Sequence, residues 1–161
     1  MSSLPIANVL LSLAFLALLI PVTVIDLERR IIPNKLLIVG TFIALIILGI
    51  FNSKVLPEHL LAGVIASGLF LVTALLCPQG LGMGDVKLIG VMGIYLGVQV
   101  AVALSVALVA GVIFGLAMVV RKGWLQGRKT AFAFGPMLAF GGLVTIFAGS
   151  QTLDAYASLL R

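Results

Sequence analysis

Charge is scarce in this chain. Lys, Arg, Asp and Glu together make up 9% of its 161 residues, where a soluble domain carries about 25%. So few charges cannot cover a water-facing surface, and a soluble globular protein is excluded. Cysteine is scarcer still. Cys77 stands alone, so no intramolecular disulfide can form and no Cys-x-x-Cys pair is available for zinc. His59 is the only histidine, which leaves little for a histidine metal site or a Ser-His triad. No metal site and no cofactor are expected.

What is present is apolar. Hydrophobic residues account for 62% of the chain, and they fall in runs. A membrane-spanning helix needs about 20 such residues. Pro5 to Ile25 meets this length, Leu36 to Phe51 follows with a start extended back toward Pro33, and Leu60 to Cys77 makes a third run. The first run lacks a basic stretch before it and ends in "VIDLERR", so it reads as an uncleaved helix rather than a signal peptide. Proline suits a helix start, and Asn34 is a candidate cap for the second helix.

Leu88 to Val120 holds 33 uncharged residues, too many for one span and few for two. Charge decides between the two. With a turn at Gly97-Val98-Gln99 the chain has six spans and both termini outside. Arg29, Arg30, Lys35, Lys87, Arg121, Lys122, Arg128 and Lys129 then lie inside, eight in number, and Lys54 and Arg161 outside, two. With one span there the split becomes five against five. The positive-inside rule prefers six. The same rule accounts for the net charge of +5 without nucleic acid as a partner. The fold class expected is all-α: a polytopic membrane bundle of about six helices, a single domain over 1–161, with the last span from about Ala131 to Ala148 after the loop "RKGWLQGRK". Trp124 in that loop reads as an interfacial anchor. Gly63, Gly68, Gly111 and Gly115 read as packing glycines, because small residues let membrane helices approach closely.

The chain has only five acidic residues. Asp26, Glu28 and Asp85 fall on the inner side of the six-span arrangement, Glu58 and Asp154 on the outer. Asp26 closes the first helix and Asp85, inside "GLGMGDVKL", opens the fourth. Two carboxylates that meet within a few ångströms share a proton. One can take a proton from water while the other donates to a carbonyl oxygen, the requirement of metal-free aspartic proteolysis. Glycines before Asp85 would let a substrate chain approach the backbone. Plainer readings stand beside this one. An Asp after glycine is a good N-cap, and an Asp next to Arg29 and Arg30 is often a solvated interfacial charge. Acids at a membrane edge are nevertheless functional candidates. Lys87 could hold a carboxylate or a substrate terminus, or simply snorkel. Glu28 reads as a surface charge, His59 and Cys77 as bystanders.

Three segments together resemble the type IV prepilin peptidases, membrane aspartic proteases of the GxGD kind. "GMGDVKL" carries Gly82, Gly84 and Asp85. "DLERRIIPNKL" places Asp26 seven residues before Pro33, which Asn34 follows. "FAFGPMLAFGG" carries Gly135 and Pro136 at the opening of the last helix. The resemblance implies Asp26 and Asp85 as catalytic residues, with Gly82, Gly84, Lys87, Pro33, Asn34, Gly135 and Pro136 binding substrate or shaping the site. It implies removal of prepilin leader peptides after a glycine, at the cytoplasmic face of the inner membrane. The partners implied are the prepilin leader, its hydrophobic helix and the lipid bilayer. Many bacterial members begin with a Cys-x-x-Cys domain and also methylate their product. This sequence starts at its first helix, so it is similar to the short, protease-only members of tight-adherence (Flp) pilus systems, and no N-terminal zinc or methyltransferase domain is expected. The alternative is a small proton- or cation-coupled transporter using the same aspartates, which would need them near the membrane midplane. A non-catalytic assembly protein is a third reading, against which the intact Asp26, Gly82, Gly84 and Asp85 argue.

Overall fold

The computed structural model describes residues 4–76, 82–122 and 134–159. Cys77, Trp124, Arg128, Lys129 and Arg161, all read from the sequence above, lie outside the described residues. Within them the chain is all-helical, with no strand. The elements are α1 (Leu4–Arg29), α2 (Asn34–Phe51), α3 (Leu56–Leu76), α4 (Met83–Leu96), a 3-10 turn (Gly97–Gln99), α5 (Val100–Lys122) and α6 (Gly135–Leu159). Helices are the expected solution, because a backbone in lipid must satisfy its own polar groups.

Four stretches are long and apolar enough to cross a membrane: Ile6–Arg29, Asn34–Phe51, Leu56–Leu76 and Met83–Met118. The last contains α4 and α5 as far as Met118. α4 alone has 14 residues, a rise of about 21 Å, which is short of a hydrocarbon core of about 30 Å. α6 offers a shorter apolar segment, Gly135–Phe147. Large apolar side chains such as Phe42, Val64, Leu76, Val112 and Phe147 point outward, as lipid-facing positions do. The chain is a multi-pass membrane protein.

Contacts fix the direction of each helix. α1 sets Asp26 against the start of α6, Asp85 at the start of α4 lies close enough to feel its charge, and the opposite end of α4 rests on the start of α3, where His59 Nδ1 lies 2.8 Å from the Ile94 carbonyl oxygen. The chain then reverses at Gly97–Gln99, as the sequence suggested. Gly97 takes φ +58°, a conformation glycine adopts freely. α5 climbs back antiparallel to α6: Ala103 lies against Gly141, and Gly111 against Phe134.

α4 is the centre of the bundle. Val86, Leu88, Ile89, Val91, Met92, Gly93 and Tyr95 are all buried, so nearly every face of it is covered. α3 can approach because Gly63 meets Gly90 and Gly93. Gly111 likewise lies close to a neighbour, the Phe134 ring. Gly68 and Gly115 differ from the packing role expected of them: a Cβ on either would meet nothing within 4 Å.

Helix ends depart from the hydropathy reading in one consequential place. α1 does not stop at Ile25 but continues to Arg29, closed by Arg30 in the left-handed region with its N–H on the Asp26 carbonyl. Helix propagation depends on backbone hydrogen bonds, not on the apolar run, so Asp26 sits inside the helix rather than after it. α3 similarly begins earlier, at Leu56. Pro33, not Asn34, occupies the cap position of α2, and Asn34 is its first helical residue.

Candidate active site

Asp26 is buried because of its register. Ala7, Leu11, Phe15, Leu18, Leu19 and Val22 form the inward stripe of α1. These positions recur every three or four residues, and the next one is 26. The carboxylate therefore points at the bundle core and is only 4% exposed. Glu28, Arg29 and Arg30, off that stripe, are exposed, which matches the surface reading of Glu28.

The partner of Asp26 comes from the other end of the chain. The Gly135 backbone N–H donates to Asp26 Oδ2 at 3.0 Å. Gly135 is the first residue of α6, so this N–H is one of the donors that a helix start leaves without an intrahelical acceptor. A Cβ at Gly135 would overlap the Asp26 carboxylate. Only glycine lets the α6 backbone come this close. Pro136 follows at the second helical position, where its missing N–H is no loss.

Asp85 occupies the equivalent electrostatic position on α4. It is the third residue of that helix, and Gly82 is the cap. The Gly82 N–H donates to Asp85 Oδ2 at 3.2 Å. Having no side chain, Gly82 cannot return the bond, so this is the carboxylate half of a capping box alone. The N-cap role weighed from the sequence is thus real in part, but Asp85 performs it from inside the first turn. Asp85 is partly buried, and Asp26 lies close enough for its charge to act on it. Each carboxylate meets the start of a helix, α6 for one and α4 for the other.

The α1–α2 link closes the site. Ile32 is buried and presses against Gly84, where an added methyl would come within 3.2 Å of Ile32 Cβ. Pro33 then turns the chain into α2. Lys87 Nζ donates to Asn34 Oδ1 at 3.1 Å across this rim, at an exposed position. The structure therefore brings Asp26, Asp85, Gly82, Gly84, Pro33, Asn34, Lys87, Gly135 and Pro136 to one end of the bundle. Among the described residues no three His, Cys, Asp or Glu side chains come together to hold a metal.

Two residues away from the aspartates have structural partners. His59 stands apart from the candidate site, at the C-terminal carbonyls of α4, a favourable place for an imidazole. Tyr95 is buried, stacks on Phe15 with centroids 5.1 Å apart, and donates its hydroxyl to the Gly40 carbonyl at 2.7 Å. The signal available was a lone Tyr in an otherwise aliphatic helix, whose hydroxyl must find a partner when buried.

Both aspartates belong to helix ends on one side, which is not the midplane arrangement the transporter alternative required. Comparison with known proteins points the same way. A model of the type IV leader peptidase family matches residues 13–120. A prepilin leader peptidase/N-methyltransferase of Bacillus subtilis is 32% identical over 151 residues, covering 92% of this chain and 59% of that protein. The protein of that name from Legionella pneumophila is 30% identical over 155 residues, covering 92% and 53%. That from Neisseria gonorrhoeae is 30% identical over 145 residues, covering 86% and 49%. The chain thus spans about half the length of the curated relatives it matches. No solved structure gives a significant match.

Proposed function

The chain belongs to the type IV leader peptidase family, and on that footing we propose that it is a membrane aspartic endopeptidase that removes the leader peptide of prepilins. One observation carries the mechanism. Two aspartates 59 positions apart in sequence, Asp26 and Asp85, converge at one end of the bundle, and each is held by a backbone N–H from a helix start.

Held side by side, the two carboxyl groups divide the work. One accepts a proton from a water molecule as that water attacks the carbonyl carbon of the scissile bond. The other, protonated, donates to the carbonyl oxygen and stabilises the tetrahedral intermediate. Collapse breaks the C–N bond, returns a proton to the leaving nitrogen, and leaves a carboxylate on the leader and an amine on the pilin. Positioned acid–base groups of this kind contribute about 10²–10⁴-fold each. Gly135 and Gly82 matter because they fix where the oxygens point, and geometry of this kind dominates such steps.

The six-span arrangement, with a unit over 1–161 and both termini outside, puts the site at the cytoplasmic face of the inner membrane. Arg29, Arg30, Lys35 and Lys87 cluster around the aspartate end of the described bundle, and Lys54 lies in the turn at the other end, a distribution that the positive-inside rule favours for this orientation. The substrate is read as a prepilin whose leader ends in glycine and whose hydrophobic helix lies in the bilayer. The peptidase step alone is proposed.

The test is processing of a co-expressed prepilin, followed by N-terminal sequencing of the product. Wild type should yield a new N-terminus directly after the leader glycine. Asp26→Asn and Asp85→Asn should insert normally and yield none. Processing that survives in both single variants sinks the dyad.

A further inference from the structure

α2 and α3 are joined by the short turn Asn52–Val55 at the end away from the aspartates, yet they touch each other little, and both pack instead on α4. They form the arms of a V. Between them runs a strip of α4 that carries Lys87, which is exposed, and Val91, which is buried at its floor. Two adjoining hollows lie on either side of this strip. The one against α2, walled by Leu37, Ile38 and Phe42, holds about 480 Å³. The one against α3, walled by Val64, Gly68 and Leu71, holds about 580 Å³. Lys87 and Val91 line both.

Resting on the peptidase reading above, we infer that this cleft seats the substrate's own membrane helix, entering sideways between α2 and α3. Three features select a helix over the other apolar occupants of a bilayer. Length is the first. The hollow against α3 runs along α4 from Met83 to Ile94, about 16 Å or three helical turns at 1.5 Å per residue. The second is the wall. α3 presents Ser67 and Gly68 to it, and a Cβ at Gly68 would meet only empty space. Small residues gain nothing against a fluid acyl chain, but they let a second helix backbone come close.

Continuity with the site is the third. The strip that floors the cleft is the same helix turn that carries Asp85. Met83, Val86 and Lys87 line the hollow, while Asp85 on the same turn lies close enough to Asp26 to feel its charge. The Lys87 stem is apolar and its ammonium reaches Asn34 at the rim, so the cleft is oily below that level and polar above it. Its occupant must change character at the same height: three apolar turns below, a polar stretch above. A prepilin has that pattern, and the change would fall at the carboxylates. The cleft thereby sets which peptide bond is presented, because the depth at which the apolar helix seats fixes the height of the bond before it.

The test uses the full chain with a purified, tagged prepilin in lipid–detergent micelles. Gly68→Trp projects an indole into the cleft from a position where a Cβ meets nothing within 4 Å. It should lower kcat/KM for the prepilin at least tenfold, through a raised apparent KM with kcat retained. Val112→Trp, on the lipid face of α5, should leave the rate at the wild-type level. In parallel, a photo-crosslinking amino acid at position 68, in an Asp85→Asn chain that holds uncleaved prepilin, should form an adduct with the prepilin helix, and the same probe at position 112 should not. Wild-type rates for Gly68→Trp, a loss carried by kcat alone, or adducts only with lipid or a second copy of this chain would overturn the cleft assignment. Cleavage by wild type, lost in the two aspartate variants, would leave the peptidase reading intact in that event. A wild type that cleaves no prepilin removes the peptidase reading and this inference with it.

Discussion

The backbone N–H of Gly135 donates to Oδ2 of Asp26 at 3.0 Å across 109 residues of sequence. This contact joins the end of α1 to the start of α6 and sets the direction of a buried carboxylate. Most of the site's geometry depends on it and on the matching contact of Gly82 with Asp85.

Gly135→Ala is expected to damage cleavage more than stability. The new methyl would overlap the Asp26 carboxylate, so the carboxylate must swing away. A displacement of about 1 Å costs on the order of 10²-fold in rate. Gly115→Ala, where a methyl meets nothing within 4 Å, serves as the control and should cleave at the wild-type rate. Kinetics on a purified prepilin, with a melting curve for each variant, checks both halves.

Asp26→Asn and Asp85→Asn should each lower cleavage by about 10²-fold or more. The protein should still accumulate in membranes, since neither change adds volume. Loss of the protein itself from the membrane fraction would instead make the carboxylates structural.

Gly93→Ala should be among the more destabilising single changes in the bundle. Its methyl would run into the Gly63 backbone and force α3 off α4. Overpacking of this kind costs about 1–3 kcal/mol. Gly49→Ala, with open space around it, should melt like wild type in detergent. Equal melting temperatures for the two variants would mean that α3 and α4 are not apposed through Gly63 and Gly93.

Tyr95→Phe keeps the ring stacked on Phe15 but loses the hydroxyl bond to Gly40. Hydrogen bonds between membrane helices average about 0.6 kcal/mol. A small drop in melting temperature is expected, with cleavage unchanged. A large loss of activity would instead tie the far end of α4 to the chemistry.

The sequence carried the helical class and the two aspartates, because both depend on local properties. Apolar runs of sufficient length report membrane helices directly, and Asp85 is conspicuous after Gly82 and Gly84. The burial of Asp26 was harder to read, since hydropathy ends α1 at Ile25 and the helix runs on to Arg29. Its register was present all along in the stripe of Leu11, Phe15, Leu18 and Val22. The structural contact of His59 was not legible, because its partner, the Ile94 carbonyl, lies 35 residues away and belongs to the backbone, which no side-chain pattern announces.

Composition and chain order alone determined that this protein lives in a bilayer, that it is built of helices, and that its scarce acids include a pair at helix ends. Those follow from solvation, which acts residue by residue. Tertiary structure decided what the acids face. It set the Gly135 N–H on Asp26, pressed Ile32 against Gly84, and left two hollows along α4 between two splayed helices. These depend on which helix backbones can approach one another, and that is fixed by packing between segments far apart in the chain.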